Sequence, residues 1–378
     1  MGLTNRIQKM LNEQAKCLRI PINANLELLP VCNLNCKMCY IRTDMGYVRQ
    51  QGGLISVEKW IEFARSLKEA GTLFLLLTGG EVFLYPEFKH LYIELCKMGF
   101  IITINTNATM IDEEVVEWLA QYPPKCVSIS LYGSNNEVYE SICGAKGMFT
   151  KVDHAIRLLL QRSIRIELKT VFTPYNIDDI ENCCAYSKAL NIFHETTGYS
   201  FPPARKVDKN ETGRFSPEEA ADCRFSCNRF LSDEQVYKEQ IIGHLQKYED
   251  TRYQPGGSVQ GFTCGATRSS FWITWQGHMT PCAMLEEPYT LPFEQGFSAA
   301  WEELKEKCDR ILMSPKCSHC DKRAVCTVCP AACYAETGSF EKHSPYHCRM
   351  TEYTLESMER QVKEWGIEDR IVRRNEEK

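Results

Sequence analysis

Three cysteines within eight residues constrain this chain more than any other feature. Cys32, Cys36 and Cys39 have the spacing C-x3-C-x2-C. Thiols this close can converge on one inorganic centre, but structural zinc and a saturated four-iron cluster each need a fourth ligand. The next cysteine is Cys96, and no histidine lies nearby. The pattern therefore predicts a [4Fe–4S] cluster with one iron left open for a substrate or cofactor, and a zinc knuckle is the alternative.

Composition argues against several other classes of protein. The 378 residues suit two domains, or one large domain with an appendage. A net charge of −5 gives no basic footprint for nucleic acid. No apolar run approaches a membrane span, and residues 1–19 lack the apolar core of a signal peptide. The 20 cysteines therefore indicate metal binding in a cytoplasmic protein rather than disulfide bonds.

Short apolar runs alternate with helical periodicity between residues 25 and 196, which predicts six βα units. The first strand leads at its C-terminal end into the loop that carries Cys32, Cys36 and Cys39, here called the cysteine loop. Ligands bind at this end of the strands in α/β sheets. Six units are too few to close an eight-stranded barrel, so the count predicts an α/β fold with an open, partial (β/α)6, TIM-like barrel. The predicted strands are residues 25–29, 73–77, 100–105, 126–131, 164–172 and 191–196.

Polar and small residues follow three of these strands. The tetrad 78–81, T-G-G-E, ends the second strand, and glycine allows backbone to approach a ligand closely. Asn105 and Asn107 follow the third strand, and Ser130 lies on the fourth. Their amide and hydroxyl groups could hydrogen-bond a ribose or a carboxylate. An ordinary turn between strand and helix is the alternative at each place.

The sequence changes character after residue 200. Proline, glycine and charged residues predict a linker or a substrate-facing loop over residues 201–222. Cys223 and Cys227 have C-x3-C spacing but no evident partners, so we interpret them as two buried thiols. A β-hairpin is predicted over residues 271–282, and helices over residues 309–313 and 350–378.

A second group of cysteines occupies the C-terminal third. The run from Cys317 to Cys333 has the spacing C-x2-C-x5-C-x2-C-x3-C, which forces the thiols together. Iron–sulfur clusters are the main interpretation, and a zinc ribbon is the alternative. The predicted hairpin would also bring Cys264 towards Cys282. The group comprises Cys264, Cys282, Cys317, Cys320, Cys326, Cys329, Cys333 and Cys348.

Together these motifs resemble the radical S-adenosylmethionine (SAM) superfamily, and in particular its members with a C-terminal SPASM extension. The resemblance implies that SAM binds the open iron of the first cluster and is cleaved to a 5′-deoxyadenosyl radical. It also implies one or two auxiliary [4Fe–4S] clusters. One would be held by Cys317, Cys320, Cys326 and Cys348, and the other by Cys264 and Cys282 with a ligand from Cys329 or Cys333. One family variant would need a cysteine at Pro330, so the role of Cys333 stays open.

The resemblance assigns a cofactor pocket and a domain plan. The implied cofactor-binding residues are Met38, Tyr40, Thr78, Gly79, Gly80, Glu81, Asn105, Asn107 and Ser130. The implied organisation is an N-terminal helix at 1–20, the barrel at 21–200, a bridging region at 201–260, the SPASM domain at 261–350 and a C-terminal helix at 351–378. Tyr132, His194 and Glu195 lie at strand ends, but no general base can be chosen among them.

The function implied is radical-based modification of a ribosomally made precursor peptide, by crosslinking, epimerisation or backbone excision. Sulfatase maturation is disfavoured, because Ala283 stands where those enzymes carry an aspartate. The expected partners are the precursor peptide, a separate leader-peptide-recognition protein and an electron donor of the flavodoxin or ferredoxin type. Oxidation of a small molecule or tetrapyrrole side chain is the enzyme alternative, and an iron–sulfur electron carrier is the non-enzyme alternative.

Overall fold

One sheet of eight strands organises the part of the chain that the computed structural model describes, residues 3–203, 213–252 and 261–372. The strands are β1 (Asn23–Glu27), β2 (Phe74–Thr78), β3 (Ile101–Thr106), β4 (Cys126–Ser130), β5 (Ile166–Val171), β6 (Phe193–Thr197), β7 (Ser270–Ile273) and β8 (Met279–Thr280). Their spatial order is β6-β5-β4-β3-β2-β1-β7-β8. The strands β1 to β6 pair in parallel in chain order, which confirms the predicted α/β fold.

Helices fill the connections and the C-terminal region. They are α1 (Leu3–Leu18), α2 (Met45–Gln50), α3 (Val57–Glu69), α4 (Phe88–Lys97), α5 (Glu113–Gln121), α6 (Asn136–Cys143), α7 (Met148–Gln161), α8 (Ile180–Ala189), α9 (Pro217–Leu231), α10 (Glu234–Thr251), α11 (Pro292–Gln295), α12 (Phe297–Asp309), α13 (Pro315–Ser318), α14 (Pro330–Thr337) and α15 (Pro345–Glu364). Short 3-10 helices lie at Val82–Leu84, Ile177–Asp179 and Glu368–Arg370. Within the described residues, no helix is both long enough and apolar enough to cross a membrane.

The two faces of the sheet differ in polarity, because side chains alternate along each strand. Leu77, Ile104 and Ile129 are fully buried on one face and share a core with Trp60 of α3 and Leu91 of α4. The opposite face carries polar residues in register across neighbouring strands, as detailed below. The helices therefore cover the apolar face and leave the polar face for a site.

Several helix boundaries follow from capping chemistry. Ser56 Oγ accepts a hydrogen bond from Lys59 N, and Asp112 accepts one from Val115 N, so these two residues cap the starts of α3 and α5. The sequence analysis missed α6, although Asn135 caps its first turn and Gly144 ends it in a left-handed conformation. An asparagine cap paired with a terminal glycine was the available signal.

Two expectations for the second half of the chain are wrong. The loop predicted through residue 222 gives way at Pro217 to α9, which starts with a capping box between Ser216 and Glu219. Within that loop, residues 204–212 lie outside the described residues. The helix predicted at 309–313 is absent from those described residues, because α12 ends at Asp309 and Arg310 caps it.

The predicted hairpin is confirmed, but it does more than predicted. The strands β7 and β8 pair antiparallel, and β7 also pairs in parallel with β1. The hairpin therefore covers the edge of β1 that would otherwise be unpaired, and it joins the cysteine-rich region to the main sheet. The C-terminal helix begins at Pro345 rather than near residue 350, and residues 373–378 lie outside the description.

Candidate active site

The cysteine loop follows β1 and is bound to the end of β2 by backbone hydrogen bonds. Gly80 N donates to Leu29 O at 2.7 Å, and Glu81 N donates to Val31 O at 2.9 Å. The first two sequence motifs therefore meet at the C-terminal edge of the sheet, before any cofactor is considered.

Both glycines of the T-G-G-E tetrad are required by this close approach. A Cβ atom would lie 2.3 Å from Leu29 O at Gly79, and 2.1 Å from Val31 O at Gly80. Gly79 also has φ 153°, which L-residues rarely adopt. The sequence analysis expected the glycines to admit a ligand, and the structure shows that they admit the backbone of the cysteine loop.

The three thiols of the loop converge. Burial raises the pKa of Cys32 to about 11, with smaller contributions from Glu81 and Cys39, and the Leu34 N–H opposes the rise. Burial also raises the pKa of Cys36, followed by repulsion from Cys39 and Cys32. The thiolates of Cys32 and Cys36 are disfavoured here. A cationic iron centre would reverse this, because a metal-bound thiol is deprotonated.

The donor set consists of thiols. Among the described residues, no group of three His, Cys, Asp or Glu side chains is already arranged to hold a metal ion. The lysine within the motif is engaged elsewhere, because Lys37 Nζ lies 3.8 Å from the centre of the Tyr175 ring. Three converging thiols are the ligands that an iron–sulfur cluster with one open iron requires.

Glu81 joins the ends of β2 and β3. Its side chain is fully buried, and it accepts hydrogen bonds from Thr106 Oγ1 at 2.7 Å, Asn107 N at 2.8 Å and Phe83 N at 3.2 Å. Burial raises the pKa of Glu81, and these three donors oppose the rise. Asn107 Nδ2 in turn lies 3.5 Å from Cys32 Sγ. A continuous chain of contacts thus runs from Glu81 to the first cysteine.

Polar side chains without partners lie beside this chain of contacts. Asn105 and Ser128 are paired in register across β3 and β4, on the polar face of the sheet. Asn105 Oδ1 and Ser128 Oγ are both buried and have no hydrogen-bond partner. Buried polar atoms are normally satisfied, so this place suits a polar ligand. Ser128 was not chosen as a site residue from sequence, although it shares a strand face with Ser130.

The other predicted pocket residues surround the loop. Thr78 is buried at the end of β2, and Ser130 is partly exposed at the end of β4, where its carbonyl accepts a bond from Tyr139. Met38 and Tyr40 are partly buried within the loop itself. Their contacts with a cofactor stay predictions.

The structure separates the three residues at strand ends that sequence could not rank. Tyr132 donates towards Cys36, and burial raises its pKa. Glu195 is exposed on the polar face, 3.3 Å from Lys169 Nζ. His194 lies on the helix-covered face, bonded to Thr170 and Ser187, and burial lowers its pKa to about 4. Tyr132 is therefore the residue of the three that contacts the cysteine loop.

Four of the C-terminal cysteines surround one cavity of about 710 Å³. These residues are Cys317, Cys320, Cys326 and Cys348. The negative charge of the other three thiolates raises the pKa of Cys348, after burial, which is the larger cause. The structure thus brings together the four residues that the resemblance assigns to one auxiliary cluster.

The remaining C-terminal cysteines form less complete groups. Burial raises the pKa of Cys329, and Cys264 lies close enough to raise it further. Burial raises the pKa of Cys308, and the negative charges of Asp309 and then Cys282 add to the rise. Cys308 is a buried residue of α12 that the sequence analysis did not single out. Cys308 has no motif spacing and shares the buried helix face with Leu304, so the sequence marks it as a core residue.

The pair Cys223 and Cys227 is buried on α9, as expected. Thiols of Cys184 and Cys223 and the hydroxyl of Thr196 donate to Cys227 and lower its pKa. These thiols therefore form a group between α8, α9 and β6, apart from the two cysteine regions described above.

Comparison with known proteins agrees with this arrangement. Residues 26–186 match the model of the radical SAM superfamily. This part of the chain is therefore similar to radical SAM proteins, as the sequence motifs predict.

Its curated relatives include the antilisterial bacteriocin subtilosin biosynthesis protein AlbA of Bacillus subtilis (strain 168), 27% identical over 72% of this chain and 57% of the relative. The sporulation killing factor maturation protein SkfB of the same strain is 26% identical over 71% of this chain and 62% of its own length. The AdoMet-dependent heme synthase of Methanosarcina barkeri (strain Fusaro / DSM 804) is 23% identical over 85% of this chain and 94% of its own length. The chain thus spans less than two thirds of AlbA and SkfB.

Solved structures share the fold. Streptococcus suis SuiB bound to S-adenosylmethionine superposes with a TM-score of 0.62 at 16% identity, over 92% of this chain and 82% of SuiB. The structure of native anSMEcpe with bound AdoMet gives a TM-score of 0.64 at 17% identity, over 91% of this chain and 100% of that one.

Proposed function

We propose that this protein is a radical SAM enzyme that modifies a ribosomally made peptide. Cys32, Cys36 and Cys39 would hold a [4Fe–4S] cluster. The cluster and SAM, when bound, supply one-electron cleavage of the sulfonium and a 5′-deoxyadenosyl radical that removes hydrogen from the substrate. The observation that carries the proposal is the convergence of three thiols beside the unpaired polar atoms of Asn105 and Ser128.

The residues of the chain would position these groups. Glu81 fixes Asn107 through its backbone N–H, and Asn107 reaches Cys32, so the network holds the first thiol in place. Asn105 and Ser128 would hydrogen-bond the polar part of SAM, because both have buried oxygen atoms without a partner. The fully buried carboxylate and the neighbouring apolar core would keep water from this edge of the sheet.

The C-terminal cysteines would hold auxiliary clusters. One would be bound by the four thiols around the 710 Å³ cavity. A second would involve Cys264, Cys282 and Cys329. Such clusters could accept an electron from the substrate radical, and an external flavodoxin or ferredoxin would supply the electron that begins the reaction.

The peptide substrate is supported by what the relatives are called. AlbA takes part in biosynthesis of a bacteriocin, and SkfB in maturation of a sporulation killing factor. Crosslinking, epimerisation and backbone excision are the candidate modifications, and a separate protein for leader-peptide recognition is a candidate partner.

The second candidate function is oxidation of a tetrapyrrole. It is favoured by one observation, the match to 94% of the length of the M. barkeri heme synthase. Offering reconstituted protein either an iron-loaded porphyrin with propionate side chains or a short peptide encoded beside the gene would separate the two functions by product mass.

Anaerobic reconstitution tests the shared part of the proposal. Protein given iron, sulfide, SAM and dithionite should form 5′-deoxyadenosine. The triple variant Cys32→Ala, Cys36→Ala, Cys39→Ala should form none, yet it should keep the visible absorbance of the auxiliary clusters. Cys17→Ala is the matched control, because Cys17 is an exposed thiol on α1. Product from the triple variant would show that the cluster assignment is wrong.

A further inference from the structure

A second cavity, of about 380 Å³, lies where the end of β6 meets α9, α10, α14 and α15. Its polar lining is rich in hydrogen-bond donors, namely Thr196, Thr197, Arg224, Asn228, His244 and Thr351. No Asp or Glu among the described residues lines it. The cavity thus offers hydrogen-bond donors and a positive charge, and no acidic side chain in its described lining neutralises that charge.

Arg224 lines this cavity and carries a positive charge. Partial removal from water lowers its pKa, and no carboxylate among the described residues acts in the opposite direction. Burial lowers the pKa of nearby His244 to about 4, and the positive charges of Arg224 and Lys247 lower it further. Arg224 is nevertheless an exposed residue, so its positive charge stays accessible to a ligand that enters the cavity.

The neighbouring Arg214, in contrast, forms an ion pair within the protein. Its guanidinium forms an ion pair with Glu336 and lies 4.9 Å from the centre of the Tyr346 ring. Tyr199 also donates to Glu336. Arg214 therefore has its counter-charge within the protein, whereas no carboxylate in the described part of the chain forms an ion pair with Arg224.

The position of Arg224 favours a ligand near the site described above. Arg224 and Asn228 are one turn apart on α9 and lie on the same helix face. The lining also includes Cys329, a proposed auxiliary-cluster ligand, and Thr197 at the C-terminal end of β6. Beside β1 and the β7–β8 hairpin, a cavity of about 190 Å³ is lined by three glutamates, so a lining without carboxylates is not general in this molecule. Those residues are Glu27, Glu286 and Glu287.

We propose that this cavity binds the carboxylate of an acidic residue in the peptide substrate, with Arg224 and Asn228 as hydrogen-bond donors. The inference rests on the proposed peptide-modifying function and adds a preference for acidic sequence to it. Guanidinium groups match carboxylates through paired hydrogen bonds. A volume near the lower end of the range for small-ligand sites admits one side chain and its neighbours rather than a whole peptide.

Arginine labelling of the full-length protein tests this without enzymatic turnover. Phenylglyoxal modification would be mapped by mass spectrometry at Arg224, with Arg214 as the paired control. Acetyl-Gly-Glu-Gly-amide should slow labelling of Arg224 at least tenfold more than acetyl-Gly-Gln-Gly-amide does. Equal rates with the two tripeptides would overturn the proposal. Equal protection by inorganic phosphate would also overturn it, because the site would then take free anions.

Variants provide an independent measurement. Ligand-observed NMR should show that Arg224→Lys keeps binding of the acidic tripeptide and that Arg224→Gln weakens it at least tenfold, with melting curves confirming that both fold. Unchanged binding in Arg224→Gln would refute the assignment. If that variant does not fold, the labelling of the unaltered protein decides. Failure to form 5′-deoxyadenosine would count against the proposed function and leave the binding result intact.

Discussion

The two cysteine regions of this protein are held in place by different means. The cysteine loop, or front loop, is attached to the sheet by backbone hydrogen bonds, because Gly80 N donates to Leu29 O and Glu81 N donates to Val31 O. The Glu81 side chain extends this network to Asn107. Residues 310–344 have no such support. Within the described part of the chain this segment contains no strand, and its helices α13 and α14 have 4 and 8 residues.

Local turns hold the C-terminal thiols. Arg323 N donates to Cys320 O at 3.0 Å, and Cys326 N donates to Lys322 O at 2.9 Å. The apolar cluster beneath them is small and includes Met313, Val328 and the cysteines themselves. From this difference we expect that the sheet can form the front site without metal, whereas the extension depends on metal for its structure. Metal binding of this second kind is part of folding.

The largest expected effect is therefore loss of metal from the extension. Cys317→Ala combined with Cys320→Ala should unfold residues 310–344, because structural metal contributes on the order of 10 kcal/mol to small domains. Limited proteolysis mapped by mass spectrometry should show rapid cleavage there and a resistant barrel. The triple variant of the front loop should keep both regions resistant. Equal sensitivity of the two variants to proteolysis would show that the two cysteine regions do not differ in their dependence on metal.

The second prediction concerns the backbone contact that holds the front loop. Gly80→Ala should lower the free energy of unfolding by about 3 kcal/mol, because overpacking against rigid backbone is poorly relieved. Gly243→Ala in α10 is the matched control, because a Cβ there meets nothing within 4 Å, and it should be neutral or stabilising by up to about 1 kcal/mol. Denaturant unfolding measures both. Similar values for the two variants would mean that the loop is free to move away.

Glu81→Gln should have an intermediate effect. The amide cannot accept from all three donors, so one buried donor loses its partner at a cost of about 1–3 kcal/mol. Glu62→Gln on α3 is the control, because Glu62 is exposed, and its effect should stay within about 0.5 kcal/mol. Chemical denaturation provides the comparison. A Glu81→Gln variant as stable as the control would show that the Glu81 carboxylate does not stabilise the cysteine loop.

The parts of the site that could be predicted from sequence are those fixed by local pattern. Apolar runs such as residues 73–77 gave strands, and the ends of parallel strands meet at one edge of a sheet, which placed Glu81 near the cysteine loop. Short spacing placed Cys317 and Cys320 together. These inferences needed no knowledge of distant contacts.

Long-range pairing set the limit. The parallel pairing of β7 with β1 joins residues 247 positions apart, such as Asn23 and Ser270, and nothing in either strand specifies the other. The contacts of Cys308 with Cys282 and of Cys184 with Cys227 depend on how helices pack. Proline and charge hid α9, although Pro217 and Glu219 belong to its first turn, where proline and glutamate favour a helix.

The smallest expected effect separates ligands from core residues within the extension. Cys333 is fully buried one turn after Cys329 on α14, in the apolar cluster with Ala332, and the cavity formed by the four thiols does not include it. Cys333→Ala should therefore cost about 1 kcal/mol through lost packing and leave the iron content unchanged. Cys348→Ala, on the same cavity as the other thiols, should lose that cluster. Iron and sulfide analysis with visible absorbance decides between them. Loss of iron from Cys333→Ala would show that Cys333 is a cluster ligand rather than a core residue.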